Sequence, residues 1–131
     1  MEDEKVDHAN CKIVRDDLDV WQAKSLIAES KNAVVSRYHA LVAALSTAVP
    51  AFAIGWNIKY QDLLNYYGID SMSVDIRENN PGQIAEYALT KIDEFKSNQI
   101  LIEKHLANQK KVNQAFELIG CWLFKNMKES M

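Results

Sequence analysis

The stretch AVVSRYHALVAALSTAVPAFAIG, residues 33–55, decides the fold of this chain. Its two short apolar runs, 33–35 and 51–54, are typical of buried strands. The segment between them, 39–49, is rich in alanine and leucine on every side, which predicts a largely buried helix that Pro50 ends. Strand, helix and strand in this order indicate neighbouring parallel strands joined by a right-handed crossover.

The flanking segments extend the same alternation. Residues 11–15 and 72–76 have the pattern of two further strands, and residues 20–32 and 58–67 have helical periodicity. Gly68 follows as a helix C-cap. The sequence therefore predicts an α/β fold with a small parallel Rossmann-like sheet of about four strands, flanked by helices.

The rest of the chain is predicted to be a long helical C-terminal tail. Asn80 and Pro81 form a helix start, and apolar periodicity continues to about residue 127, with a bend expected near Ser97. The predicted organisation is a flexible lead-in at 1–10, a partial Rossmann-like α/β domain at 11–78, and a C-terminal helical segment of the same domain at 79–131.

Composition excludes several classes of protein. The 131 residues carry a net charge of −3, which does not favour binding to nucleic acid. No apolar stretch is long enough for a transmembrane helix. Cys11 and Cys121 have no metal or redox spacing, which predicts reduced thiols and a cytoplasmic protein. No metal site is expected, because nothing completes a ligand set around the aspartates at 16–19.

The residues that follow strand 33–35 carry the chemistry. In parallel sheets ligands bind beyond the carboxyl ends of the strands. Ser36, Arg37 and His39 lie at such an end and also begin a helix, whose free N–H groups and dipole favour an anion. Arginine is a forked donor for phosphate or carboxylate, and histidine can transfer a proton near neutral pH.

A structural explanation stands beside this functional one. Arg37 can reach solvent or pair with Asp16, and His39 can be a helix cap or a satisfied core residue. The turn Gly55-Trp56-Asn57, with Lys59 as a second cation, is either a ligand wall or a glycine bulge followed by a solvated lysine. The residues alone leave both explanations open, and Asp75 is expected to be a turn or cap residue.

A longer stretch, residues 25–70, SLIAESKNAVVSRYHALVAALSTAVPAFAIGWNIKYQDLLNYYGID, resembles the polysaccharide pyruvyl transferase family. The resemblance covers roughly residues 20–76. It rests on an ordered series of motifs at consistent spacing, namely Leu26-Ile27-Ala28, Ser36-Arg37-Tyr38-His39-Ala40, Val49-Pro50, Lys59-Tyr60 and Tyr67-Gly68.

The resemblance implies a two-domain protein similar to the glycosyltransferase-B type. Such enzymes transfer a pyruvyl group from phosphoenolpyruvate to a sugar of a polysaccharide, without a cofactor. By resemblance, Arg37 with Ser36 holds the phosphate or carboxylate of the donor, His39 is the general acid, and Lys59 adds charge.

The resemblance also implies parts that this chain lacks. A full member has an amino-terminal domain that helps to bind the acceptor, so we expect the isolated chain to be catalytically incompetent. Residues 11–15 are expected to pair directly with 33–36, or else the sheet recruits another chain. The tail is expected to expose an apolar patch and to support a homodimer through Ile119, Trp122, Leu123, Phe124 and Met127.

Two other functions fit the same residues. A diphosphate also suits the corner of Arg37 and His39, so the chain is alternatively a nucleotide-sugar-binding domain of a glycosyltransferase-like protein. The third reading is a non-catalytic module that oligomerises through its helical tail.

Overall fold

A computed structural model describes residues 10–95 and 99–130 of the chain. The elements in these residues are, in order, α1 (Val20–Ala28), β1 (Ala33–Val35), α2 (Tyr38–Ser46), β2 (Ala51–Ile54), α3 (Ile58–Tyr66), β3 (Ser73–Val74), α4 (Pro81–Glu94) and α5 (Gln99–Glu129). The strands form one parallel sheet in the order β1-β2-β3. The α/β class, the small parallel sheet and the long C-terminal helix are confirmed, with three described strands instead of four.

The strand predicted at residues 11–15 is wrong. These residues adopt no regular structure, and Ile13 and Val14 are 72% and 45% exposed. Only these two apolar side chains lie between Lys12 and Arg15, and on a strand they would point to opposite faces, so neither face gains a continuous apolar surface. The expected pairing with 33–36 is therefore also wrong, and in the described residues β1 pairs with β2 alone.

Two helices begin with a reciprocal pair of polar side chains, and one of them begins at the predicted Asn80. The side chain of Asp19 accepts a hydrogen bond from the Gln22 backbone N–H at 2.8 Å, while the Gln22 side chain accepts one from the Asp19 N–H at 3.0 Å. Asn80 and Gln83 form the same reciprocal pair at the start of α4, with Pro81 at its first position. Such capping boxes satisfy N–H groups that have no partner within the helix.

The central strand β2 is buried on both faces. Side chains alternate along a strand, so Phe52 points to one face while Ala51 and Ala53 point to the other, and all three are fully buried. The Phe52 ring packs against Tyr87 of α4 at 5.7 Å. Val34 is paired with Phe52 in the sheet register but is 51% exposed, since α4 packs on β2 and β3.

Helix α2 is the centre of the core, as its apolar sequence predicts. It contacts α1, α3, α5 and the first two strands. Four of its residues are buried, namely Leu41, Ala43, Ala44 and Leu45. A helix that is apolar nearly all round needs such cover on all sides.

Helix α5 packs on the body only near its start. Leu101 is fully buried, α5 contacts α2, and the Tyr66 hydroxyl is hydrogen-bonded to Asn108. From residue 109 to 125 every side chain is exposed. The bend expected at Ser97 lies outside the described residues, and within them no helix could cross a membrane.

Candidate functional site

The turn after β1 has the position that the sequence predicts. Ser36 and Arg37 follow the carboxyl end of the strand, and Arg37 is the N-cap residue of α2 in an extended backbone conformation. Its side chain makes no capping hydrogen bond. His39 is the second residue of α2, and all three side chains are exposed. Neither charged group is therefore desolvated here.

Of the structural explanations for the charged pair, the described residues agree with exposure of Arg37 to solvent, and they show neither the ion pair with Asp16 nor a core position for His39. Among the ion pairs of the described residues, none joins Arg37 to Asp16. His39 lies outside the core, and its ring contact is an edge-to-face approach to Tyr38 at 6.1 Å. Both side chains thus present their polar groups to solvent at the edge of the sheet.

Lys59 is brought to this turn from the next strand end. Asn57 caps α3 by accepting a hydrogen bond from the Lys59 N–H at 3.0 Å. From there the Lys59 Nζ lies 5.5 Å from the centre of the Tyr38 ring, within cation–π range. A small cleft of about 130 Å³ lies here, lined by Ser36, Tyr38, Trp56, Asn57, Lys59 and Tyr60. Ser36 and Lys59 therefore share one cleft, whereas Arg37 and His39 do not line it.

Tyr60 joins the two strand ends. Its hydroxyl donates a hydrogen bond to the Ser36 carbonyl oxygen at 3.1 Å, and its ring packs edge-to-face on Tyr38 at 5.8 Å. A Cβ at Gly55 would lie 3.1 Å from the Tyr60 ring, so glycine lets the ring lie close to the backbone. The sequence reasoning missed this role of Tyr60, for which the available clue was an aromatic residue five positions after a strand-end glycine.

A second cleft of about 190 Å³ adjoins the first. It lies between the carboxyl ends of β2 and β3 and shares three wall residues with its neighbour. Its lining is Gly55, Trp56, Asn57, Ile58, Tyr60, Gln61, Ser73, Val74 and Asp75. Trp56, which is 62% exposed, forms a wall of both clefts. The turn 55–57 thus lies between two clefts.

Asp75 gives the second cleft a negative charge. Hydrogen bonds from the Arg77 side chain and backbone lower the pKa of Asp75 to about 2. The carboxylate is therefore ionised at neutral pH, and its closest cation is held in a 2.6 Å ion pair. The ion-paired carboxylate still offers acceptor oxygens, which suits a neutral ligand that donates hydrogen bonds.

Comparison with known proteins finds a similarity to one family model over the first part of the chain. Residues 1–58 match a family model described as Polysaccharide pyruvyl transferase. The match covers slightly less than half of the 131 residues and includes Ser36, Arg37 and His39 but ends before Lys59. The match supports the predicted resemblance over residues 20–58, and residues 59–76 lie outside the match. No curated protein and no solved structure matches the chain.

Proposed function

From the premise that residues 1–58 share the pattern of the polysaccharide pyruvyl transferases, we propose that this chain carries a donor-binding site for phosphoenolpyruvate. The supporting observation is that the matched residues Ser36, Arg37 and His39 lie at the carboxyl end of a parallel strand. The reaction that the family resemblance implies moves a pyruvyl group to a polysaccharide sugar. We propose donor binding, and not turnover, for these residues alone. We place the protein in the cytoplasm, where free thiols such as Cys11 and Cys121 persist.

The charges at this edge suit a small molecule with two anionic groups. Arg37 offers planar bidentate hydrogen bonding, and Lys59 offers a second positive charge beside Ser36. The N–H groups of the first turn of α2 add a third attraction for an anion, and no acidic residue lies in that turn. Phosphoenolpyruvate carries a phosphate and a carboxylate on the same carbon atom, so each cation can gain an anionic partner.

His39 is the proposed proton donor. Protonation of the methylene carbon of phosphoenolpyruvate makes the neighbouring carbon electrophilic, and a first sugar hydroxyl adds to it with loss of its proton. A second hydroxyl of the same sugar then displaces phosphate, closes the ketal and releases its own proton. Histidine suits this step because its side chain can give up and regain a proton near neutral pH.

Thermal unfolding with ligands tests donor binding. Phosphoenolpyruvate at one hundred times its dissociation constant should stabilise the chain by about 2.7 kcal/mol. Arg37→Ala should raise that constant at least tenfold, as expected for a lost hydrogen bond to a charged group. Lys24→Ala is the control, because it also removes one positive charge but from α1, where Lys24 lies over the Trp21 ring.

The same titration distinguishes phosphoenolpyruvate binding from the alternative function, nucleotide-sugar binding. Stabilisation by UDP or GDP, with none by phosphoenolpyruvate, would identify a nucleotide-sugar-binding domain instead. Unchanged binding of phosphoenolpyruvate in both Arg37→Ala and His39→Ala would show that this corner is not the donor site.

The second cleft is the proposed place for the acceptor sugar. Trp56 presents an exposed ring that can cover the apolar face of a sugar, and the ionised Asp75 can accept hydrogen bonds from hydroxyl groups. The cleft adjoins the proposed donor cleft through Trp56, Asn57 and Tyr60. A sugar bound there would lie beside the donor.

Titration with methyl glycosides of glucose, galactose and mannose, followed by NMR, tests this placement. Trp56→Ala and Asp75→Ala should each weaken the tightest of these complexes at least fivefold, since each removes a wall or an acceptor. Trp21→Ala is the control, because Trp21 is 78% exposed on α1, away from both clefts. Equal affinities in wild type and all three variants would reject the placement.

A further inference from the structure

The C-terminal half of α5 is a helix without a partner in the described residues. Between residues 109 and 125 every side chain is exposed, including aromatic ones. Besides Leu118 and Phe124, which are 72% and 63% exposed, six large apolar residues are exposed here: Val112 51%, Phe116 68%, Ile119 53%, Trp122 64%, Leu123 48% and Met127 67%. Soluble monomers rarely expose a continuous apolar surface of this kind, so the segment has the character of an interface.

The six residues from Val112 to Met127 lie on one side of the helix. Successive steps of four, three and four residues join Val112, Phe116, Ile119 and Leu123, which is the spacing of a seam that packs against another helix. Trp122 and Met127 widen this seam on either side. The opposite side carries Gln114, Glu117, Cys121, Lys125 and Lys128. The spacing therefore indicates a helical partner with an apolar seam of its own.

Gly120 lies in the middle of the exposed segment. Glycine inside an exposed helix is unfavourable relative to alanine, and a Cβ added here would meet nothing within 4 Å. The fold of the single chain thus gains nothing from the absence of a side chain. A glycine beside an apolar seam does allow another helix to approach closely, and this one marks the midpoint of the pairing.

The geometry points to a second copy of this chain as the partner: we propose that two α5 helices pair antiparallel about Gly120. This interface goes beyond the proposed function and does not depend on it. The aromatic side chains have areas of about 150–250 Å² each. With the exposed fractions given above, the six apolar side chains together expose on the order of 700 Å² per copy. A stable interface of standard size takes about 800 Å² from each partner, which is similar.

Charge sets the direction of the pairing. In the antiparallel arrangement about Gly120, Lys111 of one copy is level with Glu129 of the other, which is an attractive combination. A parallel arrangement would instead place Lys111 level with Lys111 of the other copy. The antiparallel pair also has two-fold symmetry, the commonest symmetry of soluble oligomers.

Sedimentation of the full chain between 1 and about 100 µM tests this proposal, a range where interfaces of this size commonly associate. We expect wild type to be a dimer and Ile119→Glu to raise the dissociation constant at least a hundredfold, because it buries an unpaired charge. Gln114→Glu adds the same charge on the opposite side of the same helix and should remain dimeric.

Gly120→Leu tests the pairing with a substitution that the fold of the single chain tolerates. The monomer has room for the larger side chain, so its circular dichroism should be unchanged, whereas the pairing should weaken at least tenfold. A wild-type chain that sediments as a monomer at the highest concentration would overturn the proposal. So would dimers of unchanged affinity in Ile119→Glu and Gly120→Leu, or a monomer that binds anionic phospholipid vesicles through the same residues.

Discussion

Replacing Phe52 by alanine is expected to lower the free energy of unfolding by about 3–5 kcal/mol. Phe52 is fully buried in the central strand, where its ring packs against Tyr87 of α4. Removal of the ring leaves a cavity between the sheet and α4 that the neighbouring strands cannot close. The loss is a large part of the 5–15 kcal/mol by which domains are usually stable.

Urea unfolding followed by circular dichroism measures this difference. Val34→Ala is the control, since Val34 is the register partner of Phe52 in β1 yet is half exposed. We expect the control to lose less than about 1 kcal/mol, as is usual for a side chain that stays in contact with water. Similar losses in both variants would show that α4 does not cover the sheet where the structure places it.

Leu101→Ala is expected to lower the free energy of unfolding by about 2–5 kcal/mol. Leu101 is fully buried and is the one residue of α5 described as buried, where the helix contacts α2. Truncation of this side chain removes the main apolar anchor of a 31-residue helix. The first turns of α5 should then exchange their amide hydrogens faster than α2 does.

Hydrogen exchange with mass spectrometry measures both the loss of stability and the faster exchange of α5 in the same protein. Leu106→Ala provides the comparison, because Leu106 lies on the same helix and is 57% exposed. The exchange pattern of Leu106→Ala should match that of wild type. If Leu101→Ala also leaves the pattern and the stability unchanged, α5 is not anchored through Leu101.

The fold could be predicted wherever the pattern is local. Helix caps such as Asp19 and Asn80 act within one turn of the chain, and the apolar runs around α2 are unambiguous. The strand at 72–76 is only partly confirmed, since β3 contains Ser73 and Val74 alone. Its end follows from Asp75, whose carboxylate accepts a hydrogen bond from the Arg77 N–H at 2.9 Å and so begins a turn.

The site could be predicted in position but not in its contacts. Strand ends are visible in the sequence, so Ser36 and Arg37 were located correctly at the edge of the sheet. The hydrogen bond from Tyr60 to Ser36 spans 24 residues, and no local pattern encodes it. The two clefts likewise depend on how far apart three short strands place their ends, which only the folded chain determines.

The uninterrupted course of α5 has a consequence for substrate capture. Nineteen residues separate the anchor Leu101 from Gly120, which is about 28 Å along a helix. In the proposed pair, the two anchors are therefore held about 57 Å apart on a rigid rod. If the second cleft binds a sugar as proposed, two such clefts at a fixed separation favour a polymer with repeating units, because engagement of one unit raises the effective concentration of the next.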